Sequence, residues 1–496
     1  MKLTNETHEQ KVQQATLGVE ARKKQIEAAR YRLNYHFMAP SGWINDPNGL
    51  IQHKGIYHLF YQHNPYGADW GPMHWGHAVS KDLIHWEHQP VALAPSEEYD
   101  FDEGNQEIGC FSGSAVSKGE ELYLIYTGHV EGKSPKEVQA AAYSLDGVHF
   151  NKHSQNPFIE KPPEHLSQDF RDPKVWRHNE DWYMVVGSSI NGKGAIPLYT
   201  SKDLIDWTYE GEALTAEENQ GDMWECPDLF PIEDKHALIV SPMNMSNGKN
   251  IIMVGEMNYE EGKFTPESVK EIDNGNDFYA AQTFEDEQGR RILIAWMDTW
   301  QTDFPTKSEG WAGAMTIPRQ VVLDDNRQVK LLPVPELQGL RENYQCSEKV
   351  HLNSNEVVDI TRDDVDHSFE MLIDFDLKDT ESYGKIGMEL RASNDGTEKL
   401  IVYYDLKTKE LVVDTTVAGG DTHPGINKTK LDVQDNLTLR LFMDRCSLEV
   451  LTADGEGWIT NRIYSDLNNK GTRLFTEGTR VAVDKVETWF LKKVIE

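Results

Sequence analysis

Short apolar runs separated by turn residues dominate the chain, and they recur. Five strand-like segments stand out: GIYHLFYQ from Gly55, ELYLIYTG from Glu121, DWYMVVGS from Asp181, HALIVSPM from His236 and RRILIAWM from Arg290. Their starts are 66, 60, 55 and 54 residues apart. Ten or eleven residues ahead of each lies a partner segment: NDPNGLIQ at Asn45, FSGSAVSK at Phe111, RDPKVWRH at Arg171, ECPDLFPI at Glu225 and YAAQTFED at Tyr279. A third element follows as SKDLIHW at Ser80, SLDGVHF at Ser144 and SKDLIDW at Ser201, with a weaker copy, NYEEGKF, at Asn258. A fixed period of this kind marks a repeat architecture. Several short strands per unit suit the blade of a β-propeller, so five units predict five blades. Two stacked sandwiches would not need such a period.

The pattern changes near residue 350. Phe369, Met371, Ile373, Phe375 and Leu377 alternate onto one face of a strand, as do Leu437, Leu439, Leu441 and Met443. Turn signals separate such runs, which predicts an antiparallel β-sandwich. Before the first unit, residues 6–30 read as a helix with a thin stripe of Val12, Ala15, Val19, Ile26 and Ala29, suited to docking on its own body. The predicted fold is all-β: a short N-terminal helical extension (1–30), a five-bladed propeller (31–335), a linker (336–349) and a C-terminal β-sandwich (350–496).

Composition narrows the partners. Among 496 residues, 82 are acidic and 49 basic, a formal charge of −33, which disfavours nucleic acid and anionic membranes. No apolar run is long enough to span a bilayer, and the first residues lack the apolar core of a signal peptide, so a cytoplasmic protein is expected. Cys110, Cys226, Cys346 and Cys446 are far apart, with no spacing for zinc or a disulfide framework. The HWGH and HWEH stretches have the wrong spacing for a metal in a β context. No metal or cofactor is expected.

In a propeller the innermost strands line a central channel. Asp46 and Asp172 each precede a proline near the start of such a strand, and Glu225 stands two residues before Pro227. Treated as equivalent positions, with Ser112 and Ala280 in units two and five, they bring three carboxylates to one channel mouth. Asp before Pro is ordinary turn chemistry. Three together, in the company of Trp43, Trp70, Trp75, Trp224 and Trp311, point instead to a sugar site. Crowding should raise one carboxyl's pKa, as a general acid for glycosidic cleavage requires, while its partner stays ionised. Arg171 is expected to hold the neighbouring Asp172 ionised and oriented.

WINDPNG (43–49), FSGSA (111–115), RDP (171–173), WECPD (224–228) and DFYAAQTF (277–284) together resemble glycoside hydrolase family 32, which includes invertases, sucrose-6-phosphate hydrolases, inulinases and levanases. DRCSLEVLTADG at Asp444 is similar to that family's late-strand pattern. The resemblance implies a retaining β-fructofuranosidase acting on sucrose, sucrose 6-phosphate or short fructo-oligosaccharides. Asp46 would be the nucleophile, Glu225 the acid and base, and Asp172 the residue that binds sugar hydroxyls and steadies the transition state. Asn45, Gln62, Trp70, Phe111, Ser112, Arg171, Tyr279 and Trp300 would bind the fructose unit. Nucleophile and acid would stand about 5–5.5 Å apart. Cys226 is expected to pack, not to react. The basic residues of unit one, His53, Lys54, His63, His74 and His77, do not read as a phosphate cluster, which places sucrose and short fructo-oligosaccharides ahead of sucrose 6-phosphate. A fructosyltransferase, a five-bladed arabinose or xylose glycosidase and a non-catalytic carbohydrate-binding propeller are the alternatives. A sugar is the expected partner, with the chain a monomer or homodimer.

Overall fold

A computed structural model describes residues 6–245, 248–362 and 367–494. The protein is a β-propeller followed by a β-sandwich. Five sheets precede residue 334, four with four strands and the first with five. Their inner strands are Gly42–His53, Ile108–Lys118, Phe170–His178, Met223–Ile232 and Tyr279–Glu285. Each lies against the next, and the fifth returns to lie against the first, so the sheets close a ring. The two-residue strand Trp311–Ala312 stitches the ring, pairing in parallel with Gly42 and Trp43 of the first inner strand.

The repeated third element is a side-chain-capped turn. The third strands end at Ser80, Ser144, Ser201 and Asn258. Asp82, Asp146 and Asp203 then accept two backbone N–H bonds each, from residues two and three further on. In the weaker copy Asn258 takes over this role itself, accepting from Glu260 and Glu261. A short carboxylate or amide that satisfies its own backbone is what makes these residues turn formers.

The sandwich consists of two six-stranded sheets. All nine alternating positions from Phe369 to Leu377 and Leu437 to Met443 are buried between them. The expected linker is structured: residues Pro335–Leu340 form a 3-10 turn, and Arg341–Leu352 is already a strand paired with Val481–Leu491. That strand lies at a sheet edge and is almost wholly exposed, so it carries no apolar alternation to announce it.

Buried charge joins the two parts. His36 bridges Asp444 and Glu449 at 2.9 Å each, and Arg319 pairs with Asp273 at 2.8 Å and with Glu449 at 2.5 Å, every side chain fully enclosed. The N-terminal helix, α1 (His8–Ile26), is shorter than residues 6–30. It opens with a capping box between Thr7 and Gln10. It docks through Ala15, Val19 and Ile26, and the Ser41 hydroxyl donates to the carbonyl of Val19. Among the described residues, no helix is long and apolar enough to cross a membrane.

Candidate active site

The strand ladder slips in every inner strand: between Ile44 and Pro47, Phe111 and Gly113, Arg171 and Lys174, Glu225 and Asp228, and Tyr279 and Gln282, with a second slip in the first strand between Asn48 and Ile51. Such bulges re-aim side chains. Three of them put a non-glycine residue in left-handed backbone, with φ of 65° at Asp172, 50° at Cys226 and 53° at Ala280. That conformation costs on the order of 1–3 kcal/mol and persists only where its surroundings enforce it. The bulges also correct the sequence equivalence. Cys226, not Glu225, occupies the position of Asp172, while Glu225 stands at the position of Arg171. Glu225 therefore reaches the channel from the neighbouring register, because each bulge turns two successive side chains toward it.

All eleven expected residues line one cavity of about 670 Å³: Asp46, Asp172 and Glu225, with Asn45, Gln62, Trp70, Phe111, Ser112, Arg171, Tyr279 and Trp300. Most of the tryptophans expected at the sugar site lie elsewhere. Trp43, Trp75, Trp224 and Trp311 are at most 1% exposed and belong to the core; only Trp70 of that set lines the cavity. The other tryptophan at the cavity is Trp300, 48% exposed and stacked on Trp43 with ring centres 5.7 Å apart. Trp43 also donates its indole N–H to Asn45 at 2.7 Å, so its contribution to the site is support.

Asp46 receives three donors: Ser112 Oγ at 2.6 Å, Asn45 Nδ2 at 3.1 Å and the Cys226 thiol at 3.5 Å. Asp172 accepts from the backbone N–H of Cys226 at 2.8 Å and from the same thiol at 3.5 Å. Burial raises the pKa of Asp46 despite those donors, with Glu225 adding to the rise. The larger rise falls on Asp172, pushed up to about 8 by burial first, then by the charges of Asp46 and Glu225 against the opposing pull of Arg171. Burial raises these carboxyls more than the crowding that the sequence suggested, and most strongly at the residue expected to bind sugar hydroxyls, not at the one expected to transfer the proton. A proton held on Asp172 lets Asp46 carry its negative charge without a like charge beside it.

Arg171 does not hold Asp172. Its guanidinium forks onto Oε1 of Glu225, with Nε at 3.1 Å and Nη2 at 2.9 Å, and reaches Glu137 and Asp169 at 3.1 Å through Nη1. Tyr279 donates its hydroxyl to Oε2 of Glu225 at 2.5 Å. Sequence reasoning passed over Glu137, which is buried, lines the cavity and is bonded by His129 at 3.1 Å. His129 in turn stacks on Phe111 with ring centres 4.0 Å apart. The one signal available was a lone Glu and a lone His inside two apolar strands of the second sheet, EVQAAAYS and ELYLIYTGHV.

Asp46, Asp172 and Cys226 bring ligand-type atoms within 4.8 Å of one another, a spacing that could accommodate a cation. The thiol's pKa is well above its ordinary value because of burial and the adjacent Asp172 and Asp46. Its single S–H lies between the two carboxylates, 3.5 Å from an oxygen of each, and is shared between them, which is a hydrogen-bonding arrangement.

A family model described as the glycosyl hydrolases family 32 N-terminal domain matches residues 36–335, and the family 32 C-terminal model matches residues 336–490. The chain is 38% identical to a sucrose-6-phosphate hydrolase of Zymomonas mobilis subsp. mobilis, over 95% of this chain and 94% of that one. It is also 38% identical to a raffinose invertase of Escherichia coli, over 90% and 94%. Among solved structures, a variant of the Bombyx mori GH32 beta-fructofuranosidase in complex with sucrose aligns with a TM-score of 0.82 at 32% identity, over 98% of each chain.

Proposed function

The chain belongs to glycoside hydrolase family 32, and on that premise we propose a mechanism in which Asp46 attacks the anomeric carbon of a terminal β-fructofuranosyl unit while Glu225 protonates the departing oxygen. The chain is a glycoside hydrolase of the invertase type. The observation that carries the mechanism is the unlike support given to two carboxylates of one cavity. Asp46 is met by neutral donors, and Glu225 is gripped by a guanidinium on one oxygen and a phenol on the other. In the first step the ketosidic C–O bond breaks, an ester forms at Asp46, and the proton of Glu225 leaves with the aldose. In the second, Glu225 takes a proton from water, the water oxygen attacks the same carbon, and the ester breaks. Asp172, protonated at neutral pH, binds hydroxyls of the fructose ring, and release of that proton would let it support the positive charge that develops there.

Sucrose and its 6-phosphate are the proposed substrates, with neutral sucrose preferred. Seven carboxylates line the cavity, four of them (Glu107, Glu131, Glu137 and Asp169) beyond the catalytic three, against Lys136, Arg171 and Lys249. Arg171 and Lys136 are already paired with acids. None of His53, Lys54, His63, His74 and His77 lines it.

The deciding experiment follows sucrose hydrolysis by NMR and traps the intermediate with an activated fructoside. The proposal requires fructose released first as the β-anomer and a fructosyl ester mapped to Asp46. Inverted product, or an ester on another residue, would refute it.

A further inference from the structure

A second cavity, of about 770 Å³, lies between α1, the segment before the first sheet and residues 84–88, which end in the short strand Trp86–His88. Arg32 lines it, and no described residue accepts a hydrogen bond from this guanidinium or pairs with it. Its Nη1 is fully buried without a partner. The nearest compensation is the ring of Trp311, with the guanidinium carbon 5.7 Å from the ring centre, at the outer limit of a cation–π contact. Burying a cation without a counter-charge costs several kcal/mol, more than such a contact returns.

The surroundings repeat the signal. His88 lines the same cavity, and its Nδ1 is also buried without a partner. Burial, followed by the positive charges of Arg32 and Lys23, lowers its pKa to about 3, so the ring is neutral and one nitrogen can donate. Lys23 and Lys493 stand on the cavity wall. The acids that share the wall, Glu20, Glu27 and Glu87, are exposed and none bonds Arg32. Phe37 and Trp86, in edge contact with ring centres 5.8 Å apart, provide an apolar surface. Three cations and three carboxylates share the wall, and among these cations Arg32 carries a fully buried nitrogen without a partner.

We infer that this cavity is a binding site for a small molecule bearing an oxyanion, a carboxylate or a phosphate monoester, forked by Arg32, bonded by His88 and packed against Phe37 and Trp86. The guanidinium fork matches two oxygens of either group. The volume suits a metabolite of sugar-phosphate size. None of these residues lines the catalytic cavity, so the site is separate from the sucrose chemistry.

Isothermal titration of the full chain at low ionic strength with inorganic phosphate, glucose 6-phosphate and citrate tests this. The expected result is saturable one-to-one binding of at least one titrant, undisturbed by saturating fructose and weakened at least tenfold by Arg32→Met, while sucrose turnover stays within twofold. Binding of inorganic phosphate identifies the headgroup as sufficient; binding of citrate alone identifies a carboxylate ligand. If Arg32→Met loses sucrose turnover, Arg32→Lys carries the test, since it keeps the charge but removes the fork. Absence of saturable binding by all three, equal affinity in the variant, or displacement by fructose overturns the inference.

Discussion

The backbone N–H of Cys226 donates to Oδ2 of Asp172 at 2.8 Å, which ties the bulge presenting Glu225 to the bulge presenting Asp172. Both residues of that bond have left-handed backbone. Two strained turns therefore hold each other, and the carboxylates of adjacent sheets keep a fixed relation before any sugar arrives.

Glu225→Gln should cut sucrose turnover by about 10³-fold, within the usual range for losing a general acid. With a fructoside whose leaving group needs no proton, the burst of the first step should fall by less than about tenfold. Rapid-quench kinetics on both substrates check this, and equal losses would remove the acid role.

Arg171→Lys keeps a positive charge but loses the fork on Glu225. We expect kcat to fall about 10²-fold with a smaller change in KM, because misplacing a catalytic group by about 1 Å has an effect of that order. Steady-state kinetics would separate this from a binding role, in which KM would carry the change.

Asp172 sets a cost on stability with a defined sign. Its folded pKa of about 8 lies above its ordinary 3.8, so the folded state holds a proton that the unfolded state has released across that interval. Its contribution to stability is therefore most favourable below pH 3.8 and declines as pH rises toward 8. Asp172→Asn should stabilise the fold at pH 7–8 by about 1–2 kcal/mol, seen as a higher melting temperature, and the gain should shrink toward pH 4 while activity is lost. Calorimetry across that range reads it directly.

His36 titrates in the same sense but from a different cause. Burial alone would lower its pKa, but hydrogen bonds to Asp444 and Glu449 outweigh this and raise it above 6.5. The stability it provides is complete below pH 6.5 and disappears as pH rises through the raised value. Urea midpoints should decline from neutral into alkaline pH, and His36→Asn should flatten that slope.

The cavity's charge predicts a kcat/KM for sucrose about tenfold above that for its 6-phosphate at low salt, converging as salt screens the carboxylates. A higher value for the phosphate would mean that Lys249 or Lys136 is recruited to it.

Much of this was readable because the repeat and the Asp-Pro and Glu-Cys-Pro motifs are local. The period located all five inner strands, and the motifs located three carboxylates that line one cavity. The register of Glu225 was not readable: a bulge adds a residue without changing residue type. The orientation of Arg171 was missed because adjacency in sequence pointed it at Asp172, whereas two of its three acidic partners lie 34 and 54 residues away and the third is Asp169, on the other side of it in sequence. Tryptophan misled in the same way, since a residue type that suits sugars also suits a dry core.

Every carboxylate assigned to the chemistry precedes residue 226, yet the ring is stitched by Trp311 and Ala312 on Gly42 and Trp43. During synthesis, a ribosome that has delivered Asp46, Asp172 and Glu225 has not yet delivered the clasp. A nascent chain stopped near residue 300 would possess all three carboxylates without the clasp that closes the ring around them.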